Sequence, residues 1–360
     1  MSGESQLKIN SKYHEISNSA PTYFIADIAA NHDGSLLKAR NLIKLAAEAG
    51  ANAAKFQNFR AETIVSKRGF VELGEKLSHQ ASWDKSVFQA YKDSELPLEW
   101  TDQLIAECEL HEIDYFTAPY DLSYISILAP RLPFFKVGSG DITWKESLDL
   151  MISYGKPIMV ATGASDLWEV QRVVKLIEEN NVAYVLMQCN TNYTGSENNF
   201  DNINLLALNE LKREFPKAIL GLSDHSHGSI AVLGAIALGA RVVEKHFTDN
   251  KNQIGPDHSF SLNPTEWSEM VQSARTLERC MGDGRKKLEK NEIDAQIVQR
   301  RALRYSRQLR LGDTITSADL IALRPCPNNG IDPWRKSDLL GKKLLRNVLE
   351  DELVTNEDFK

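Results

Sequence analysis

The chain predicts an α/β fold, a (β/α)8 TIM barrel followed by a small carboxyl-terminal domain, and three observations carry that expectation. Eight short apolar segments recur at residues 23–28, 53–59, 114–117, 134–137, 157–161, 184–188, 218–221 and 241–245. Stretches of helical period separate them, the alternation a parallel sheet requires because each strand must be reached by a crossover. Polar residues gather at the C-terminal ends of the segments, where a barrel keeps its chemistry: Asp27, Asn31, His32, Lys55, Gln57, Lys136, Ser139, Thr162, Asp224, His225 and His246.

The elements follow in order. LLKARNLIKLAAEAGAN places leucine, isoleucine and alanine at helical spacing and stops at Gly50. Comparable helices are expected in EWTDQLIAECELHEI, ESLDLMISYG, LWEVQRVVKLIEENN, NLLALNELKREF and GSIAVLGAIALGA, each ahead of a new strand. Residues 60–98 are longer and more polar than an ordinary connection and put Trp83, Phe88 and Tyr91 on one possible helical face; a substrate-side lid, an interface helix and a packing insertion all fit this. A helix after Glu266 runs to Cys280, and MGDGRKKLEKNE then turns polar around two glycines. The expected division is a flexible lead-in at 1–20, a barrel at 21–281, a linker at 282–299 and a small domain at 300–360. That last piece reads as a strand, a turn at Gly312 and Asp313, and a short helix opening at Thr316 with Asp319 as its N3 acid. A core of about 60 residues is rarely self-sufficient, so it is expected to lean on a barrel, its own or a neighbour's.

Composition narrows the function. Apolar residues make up 42% and charged residues 25%, with no run of 18 apolar residues to span a bilayer. MSGESQLKINSKYHEISNS lacks the basic and apolar regions of a secretory signal, which points to a cytoplasmic location. The net charge of -7 argues against a nucleic-acid backbone as partner while allowing a local cationic pocket. Cys108, Cys189, Cys280 and Cys326 form no CxxC element, so free thiols are expected rather than a disulfide scaffold or structural zinc.

His225 in GLSDHSHG and His246 in VVEKHF end the seventh and eighth segments, neighbours in a closed barrel. Two imidazoles there suit one divalent cation completed by water or substrate oxygen; local hydrogen bonding is the alternative. His227 and His258 are less constrained, and His14, His79 and His111 read as surface or packing residues. Asp27 and Asp257, the latter in IGPDH, would approach the same cation and manage water or a proton, or else bond locally in turns. Lys55 in AAKFQ and Lys136 in FFKVGSGD, if inward, need an anion, and Ser139 with Gly138 and Gly140 adds donors for a phosphate or carboxylate; a Schiff base is the alternative. No Walker or dinucleotide motif is present, so ATP and NAD are not implied.

With these residues in place, the chain resembles the nonulosonic acid synthases, of which N-acetylneuraminate (sialic acid) synthase is the type. The resemblance spans residues 22–355 through IADIAANHDG, AAKFQ, FFKVGSGD, ATGA, GLSDHSHG, VVEKHFTDNKNQIGPDHSFSLNP, IALRP and GKKLL, in the family's order. It implies a TIM-barrel synthase joined to an antifreeze-like (SAF) domain, a domain-swapped homodimer that condenses phosphoenolpyruvate with an N-acylated hexose. The implied product is a nine-carbon 2-keto-3-deoxy acid, nominally N-acetylneuraminate, with legionaminic and pseudaminic acid synthases as the alternative; the implied cofactor is a divalent metal, manganese or magnesium. By motif, His225 and His246 match the metal ligands and Asp257 the acid beside metal and sugar. Lys55, Lys136, Ser139, Ser223 and Thr162 lie in phosphoenolpyruvate-holding segments, and Gln57, Tyr193 and Asp141 in segments facing the sugar. Arg324 matches an arginine that reaches into the partner's site. The chain departs from the family at Asp27 and Asp141, where glutamate is usual, and at Ala118 and Ala161, where a hydroxyl residue is common. These departures bear on which hexose is used. They also keep open a barrel that binds sugar without turning it over, and a seven- or eight-carbon keto-acid synthase is the nearest enzymatic rival.

Overall fold

A computed structural model of the chain describes residues 7–74, 77, 80–81 and 83–359, so His79 lies outside the described residues. The chain divides into two compact units, residues 1–282 and 283–360.

The first unit is an α/β barrel. Two short strands, β1 (Lys8–Asn10) and β2 (Glu15–Ser17), pair antiparallel and precede it. The eight barrel strands are β3 (Tyr23–Asp27), β4 (Ala53–Asn58), β5 (Asp114–Pro119), β6 (Phe135–Val137), β7 (Ile158–Ala161), β8 (Tyr184–Cys189), β9 (Ile219–Asp224) and β10 (Val242–His246). They form one parallel sheet in the order β5-β4-β3-β10-β9-β8-β7-β6, and β5 and β6, the two ends of that order, pack side by side so that the barrel is nearly closed. Every expected strand is found within a few residues of its place, because continuous apolar runs are what strands buried on both faces require.

The crossover helices Leu36–Glu48, Thr101–Leu110, Leu122–Leu128, Lys145–Ser153, Leu167–Glu179, Ala207–Glu214 and Ile230–Ala237, and Pro264–Cys280 after the last strand, turn their apolar sides to the sheet. Helix starts follow local chemistry: Ser35 accepts from the Lys38 N–H, while Asn263 and Glu266 form a reciprocal capping box ahead of Pro264. Gly50 ends the first helix at φ +95°, a conformation that costs a residue with a Cβ. Fully buried Phe24, Phe56, Phe116, Phe134, Phe135 and Trp267 are among the large residues of this core, each worth about 1.5–3 kcal/mol of burial.

The lead-in expected to be flexible differs in residues 8–17. Ile9 and Ile16 face each other across the β1–β2 pair and are both 1% exposed, and His14 sets its ring edge against Tyr23 at 5.6 Å, at the N-terminal end of β3. Two isoleucines at paired positions supply an apolar face that the polar residues around them hide in the sequence. The stretch expected as a linker holds a short helix, Ile293–Gln299, and falls within the second unit.

The second unit pairs β11 (Ala302–Tyr305) antiparallel with β12 (Leu320–Leu323). Leu303, Tyr305, Leu309, Ile315, Leu344, Val348 and Val354 belong to a core of its own. Thr316 with Asp319 and Thr355 with Asp358 form capping boxes of the same T-x-x-D pattern. Each buried aspartate also receives an arginine: Arg307 reaches Asp319 at 2.8 Å and Arg346 reaches Asp358 at 2.7 Å.

Candidate active site at the barrel mouth

Registry decides which side chains enter the barrel. Asp27 pairs with both His246 and Lys55, Gln57 with Ala118, Lys136 with Met159, Ala161 with Met187, and Ser223 with both Cys189 and Glu244. Side chains paired across a parallel ladder point the same way and alternate along each strand. The inner face near the C-terminal ends therefore collects Asp27, Lys55, Gln57, Ala118, Lys136, Ala161, Cys189, Ser223, Glu244 and His246.

The floor of this mouth is ionic. Lys55 Nζ lies 2.6 Å from Asp27 Oδ2 and 3.4 Å from Glu244 Oε1, and Lys136 Nζ lies 3.4 Å from the same Glu244 oxygen. The Ser223 hydroxyl donates to that oxygen at 3.4 Å, and Gln57 Nε2 donates to Asp27 Oδ2 at 3.4 Å. Burial works against the Lys55 ammonium, and the Asp27 and Glu244 carboxylates outweigh it, so its pKa is raised. Glu244 is not among the residues that the strand ends mark, although VVEKH carries the signal: it stands two residues before His246, hence on the same face of the strand.

Above the floor stand the histidines, ring centroids 5.5 Å apart. His225 Nδ1 is 2.9 Å from the Asn190 carbonyl, to which it must donate, leaving Nε2 as the lone-pair nitrogen of the neutral ring. Burial tends to lower the His225 pKa, but Cys189, its Sγ 3.9 Å from Nδ1, and the Asn190 carbonyl raise it overall. His246 Nε2 is 3.6 Å from Asp27 Oδ2 and Nδ1 is 3.9 Å from Asp257 Oδ2. Burial, then the neighbouring His225 and Lys55, hold His246 well below the usual imidazole range, in the neutral form that ligates metals. Its Nδ1 and Asp27 Oδ1 are buried without a hydrogen-bond partner, a costly state for a protein atom unless something else meets it. These donors fit a divalent cation. Among the described residues, no group of three or more His, Cys, Asp or Glu gathers as a protein-only cage.

Tyr193 lies 4.1 Å, ring to ring, from His225 and Phe260 5.0 Å from His246, walling the pair with aromatic rings. Asp257 accepts from the Ala30 N–H at 3.2 Å, and burial pushes its carboxyl up to about 6 against that bond. Burial likewise pushes Asp141 up to about 6. Ser139 Oγ accepts from the Gly163 N–H at 3.1 Å; a Cβ at Gly163 would stand 2.0 Å from Thr191 Oγ1, so only glycine permits this approach.

Several strand-end residues point elsewhere. Asp224 turns away from the barrel axis to pair with Lys245 at 2.6 Å, both side chains buried. The Thr162 hydroxyl donates to the Met187 carbonyl at 3.1 Å. Asn31 Nδ2 donates to the Phe247 carbonyl and to Ser261, and His32 packs edge-on to Trp100. His258, which the sequence left loosely constrained, is fully buried: Nδ1 is 2.7 Å from Thr248 Oγ1 and Nε2 is 3.1 Å from Asp33 Oδ1, tying the loop of Asp257 to the β3 exit. Phe88 lies under the Lys67 ammonium, whereas Trp83 and Tyr91 line a cleft with Phe59, Gln57, Ala30 and Asp257. Arg324 is solvent-exposed on the second unit. All four cysteines are free.

The family profile described as "NeuB family" matches residues 42–286, most of the barrel. The chain belongs to the NeuB family. The SAF domain profile matches residues 300–360 of this NeuB-family chain. The N,N'-diacetyllegionaminic acid synthase of Campylobacter jejuni is 34% identical over 92% of this chain and 98% of its own length. Pseudaminic acid synthase of the same species is 30% identical over 94% and 96%. The crystal structure of N-acetylneuraminic acid (sialic acid) synthetase from Leptospira borgpetersenii superposes with a TM-score of 0.70 at 25% identity, covering 81% of this chain and 95% of that one. Among the described residues, no helix is long and apolar enough to cross a membrane.

Proposed function

We propose that the chain condenses phosphoenolpyruvate with a 2,4-diacetamido-2,4,6-trideoxyhexose, releasing phosphate and a nine-carbon 2-keto-3-deoxy acid of the legionaminic or pseudaminic type. N-acetylneuraminate, the nominal product of the sequence reading, takes second place because legionaminic acid synthase stands at 34% identity over nearly the whole chain. The observation that carries the reaction class is the inward Lys55 and Lys136 sharing one oxygen of Glu244 beside Asp27 and the two histidines. Two buried ammonium groups on neighbouring carboxylates are ready to take the phosphate and carboxylate of an enol phosphate, with Ser139 and Ser223 adding hydroxyl contacts.

His225 and His246 would hold a divalent cation, manganese or magnesium, whose charge polarises the sugar's aldehyde. Lys55 and Lys136 orient phosphoenolpyruvate so that its C3 meets the aldehyde carbon, where the new carbon–carbon bond forms. Asp257, held near neutral pH and 3.9 Å from His246, donates the proton that the new alkoxide takes up. Asp27 then takes a proton from the water that adds to C2, and the tetrahedral intermediate expels inorganic phosphate by breaking its C–O bond as the C2 hydroxyl proton passes to the departing phosphate and the 2-keto group forms. Gln57, Asp141 and Tyr193 face the sugar, and Thr162 shapes the phosphoenolpyruvate side through its backbone. Arg324 would enter the site of a second copy in a domain-swapped homodimer, working in the cytoplasm.

Purified protein incubated with manganese and phosphoenolpyruvate should release phosphate with 2,4-diacetamido-2,4,6-trideoxymannose or the corresponding altrose compound, and more slowly with N-acetylmannosamine. Silence with all three overturns the reading. Faster turnover of arabinose 5-phosphate or erythrose 4-phosphate would assign the chain to the seven- or eight-carbon synthases instead.

A further inference from the structure

The cleft beside the ionic floor has one wall that the reaction leaves unused. Phe59 and Tyr91 meet ring to ring at 5.4 Å, Tyr91 and Trp83 at 6.4 Å, and Phe59 and Tyr120 at 6.4 Å, a continuous aromatic shelf at the mouth. Trp83 and Tyr91 come from the long connection after β4, and Tyr91 sits on the short helix Val87–Asp93. Across the same cleft stand Gln57 and Asp257, the first 3.4 Å from Asp27 and the second 3.9 Å from His246. One side of the cleft is therefore polar and adjoins the groups assigned to the chemistry, and the other is aromatic and largely apolar. Burial, followed by the nearby Asp257 and Asp141 charges, keeps the Tyr91 hydroxyl protonated, so the shelf adds no charge of its own.

A sugar whose aldehyde lies by His246 must extend its far carbons away from the floor. On an ordinary hexose these carry hydroxyls, which prefer polar partners and gain less from an aromatic face than a methyl does. On a 2,4-diacetamido-2,4,6-trideoxyhexose they carry the methyl at C6 and the acetamido methyl at C4, which do. We infer that Trp83 and Tyr91 are specificity-determining residues that seat the methyl-bearing end of the sugar, an inference that rests on the condensation proposed above.

The test is Trp83→Ala and Tyr91→Ala, with Tyr91→Phe as the conservative control, each titrated with 2,4-diacetamido-2,4,6-trideoxymannose and with N-acetylmannosamine in the presence of manganese. Calorimetric affinity and phosphate release are read in parallel. One methyl in an apolar pocket is worth on the order of 10-fold or more in discrimination. Each alanine variant should weaken the trideoxy sugar by about that factor, through KM with kcat held, and N-acetylmannosamine by less than about 3-fold. Tyr91→Phe should keep the preference. Equal losses for both sugars, as a merely structural role would give, no loss for either, or no binding of either sugar to the wild-type protein would overturn the inference. Sugar binding without phosphate release would sink the condensation reading alone, since the ratio of calorimetric affinities still decides the role of the two residues.

Discussion

Glu244 shows how one side chain changes the meaning of its neighbours. Lys55 and Lys136 are each inward, as their strand positions implied, but in the folded chain each already has a carboxylate, and it is partly the same one. An anionic substrate taken up by these lysines, as proposed, would therefore enter by exchange of partners rather than by filling unpaired charge. The histidines carry the first prediction. His225→Ala or His246→Ala should abolish stoichiometric manganese binding and lower turnover by at least about 100-fold, since each imidazole would supply a large share of the cation's few protein contacts; elemental analysis beside a phosphate assay decides it, and unchanged metal content in both variants removes the pair as ligands. Asp141 carries the second. Its folded pKa of about 6 lies above the ordinary 3.8, so the folded state holds the proton more tightly and stability falls as pH rises through that window. Asp141→Asn should leave stability nearly unchanged at pH 3 and raise it by about 3 kcal/mol at pH 8, measured by thermal unfolding of metal-free protein.

At the scale of elements, alternation along the strands did most of the positioning. In β10, Glu244 and His246 enter the barrel while Lys245 turns outward to Asp224 of β9. The sequence marked Asp224 as a mouth residue because it ends a strand, and parity overrides that position. The buried pair is a structural tie, and Lys245 also reaches the Ser226 carbonyl. Lys245→Ala should destabilise the barrel by about 3–5 kcal/mol, and Asp224→Asn/Lys245→Met by clearly less, because removing one partner strands the other's charge; urea or thermal unfolding of the two variants gives the comparison. The loop after β10 follows the same logic, for His258 between Thr248 and Asp33 fixes the backbone that presents Asp257.

For the whole molecule, a site shared between two copies, as proposed, has a direct test. Arg324→Ala and His246→Ala chains should each be nearly inactive alone. Mixed under verified subunit exchange, they should recover about a quarter of wild-type activity, because half of the dimers are mixed and each of these holds one intact site if the arginine acts across the interface. No recovery beside an active wild-type control would place both residues in one chain's site or remove Arg324 from it.

By itself the sequence determined the eight strands, their connecting helices and the small second domain, and it pointed to Lys55, Lys136, Asp27, His225 and His246 at the C-terminal ends of the strands. Those are properties of local pattern: apolar runs bounded by turns, helical periodicity, capping boxes such as that of Thr316 with Asp319, and motifs in a fixed order. Tertiary structure alone decided what each polar group faces. It drew Glu244 between two lysines, committed the Thr162 hydroxyl to a neighbouring carbonyl, folded Ile9 against Ile16 under a polar lead-in, and set Trp83 and Tyr91 over the mouth while sending Phe88 to Lys67. The physical reason is range. Strand and helix preferences are set by residues a few positions apart, whereas the partner of a buried charge or ring is set by which strands become neighbours and in what register, and that is fixed only when the barrel closes.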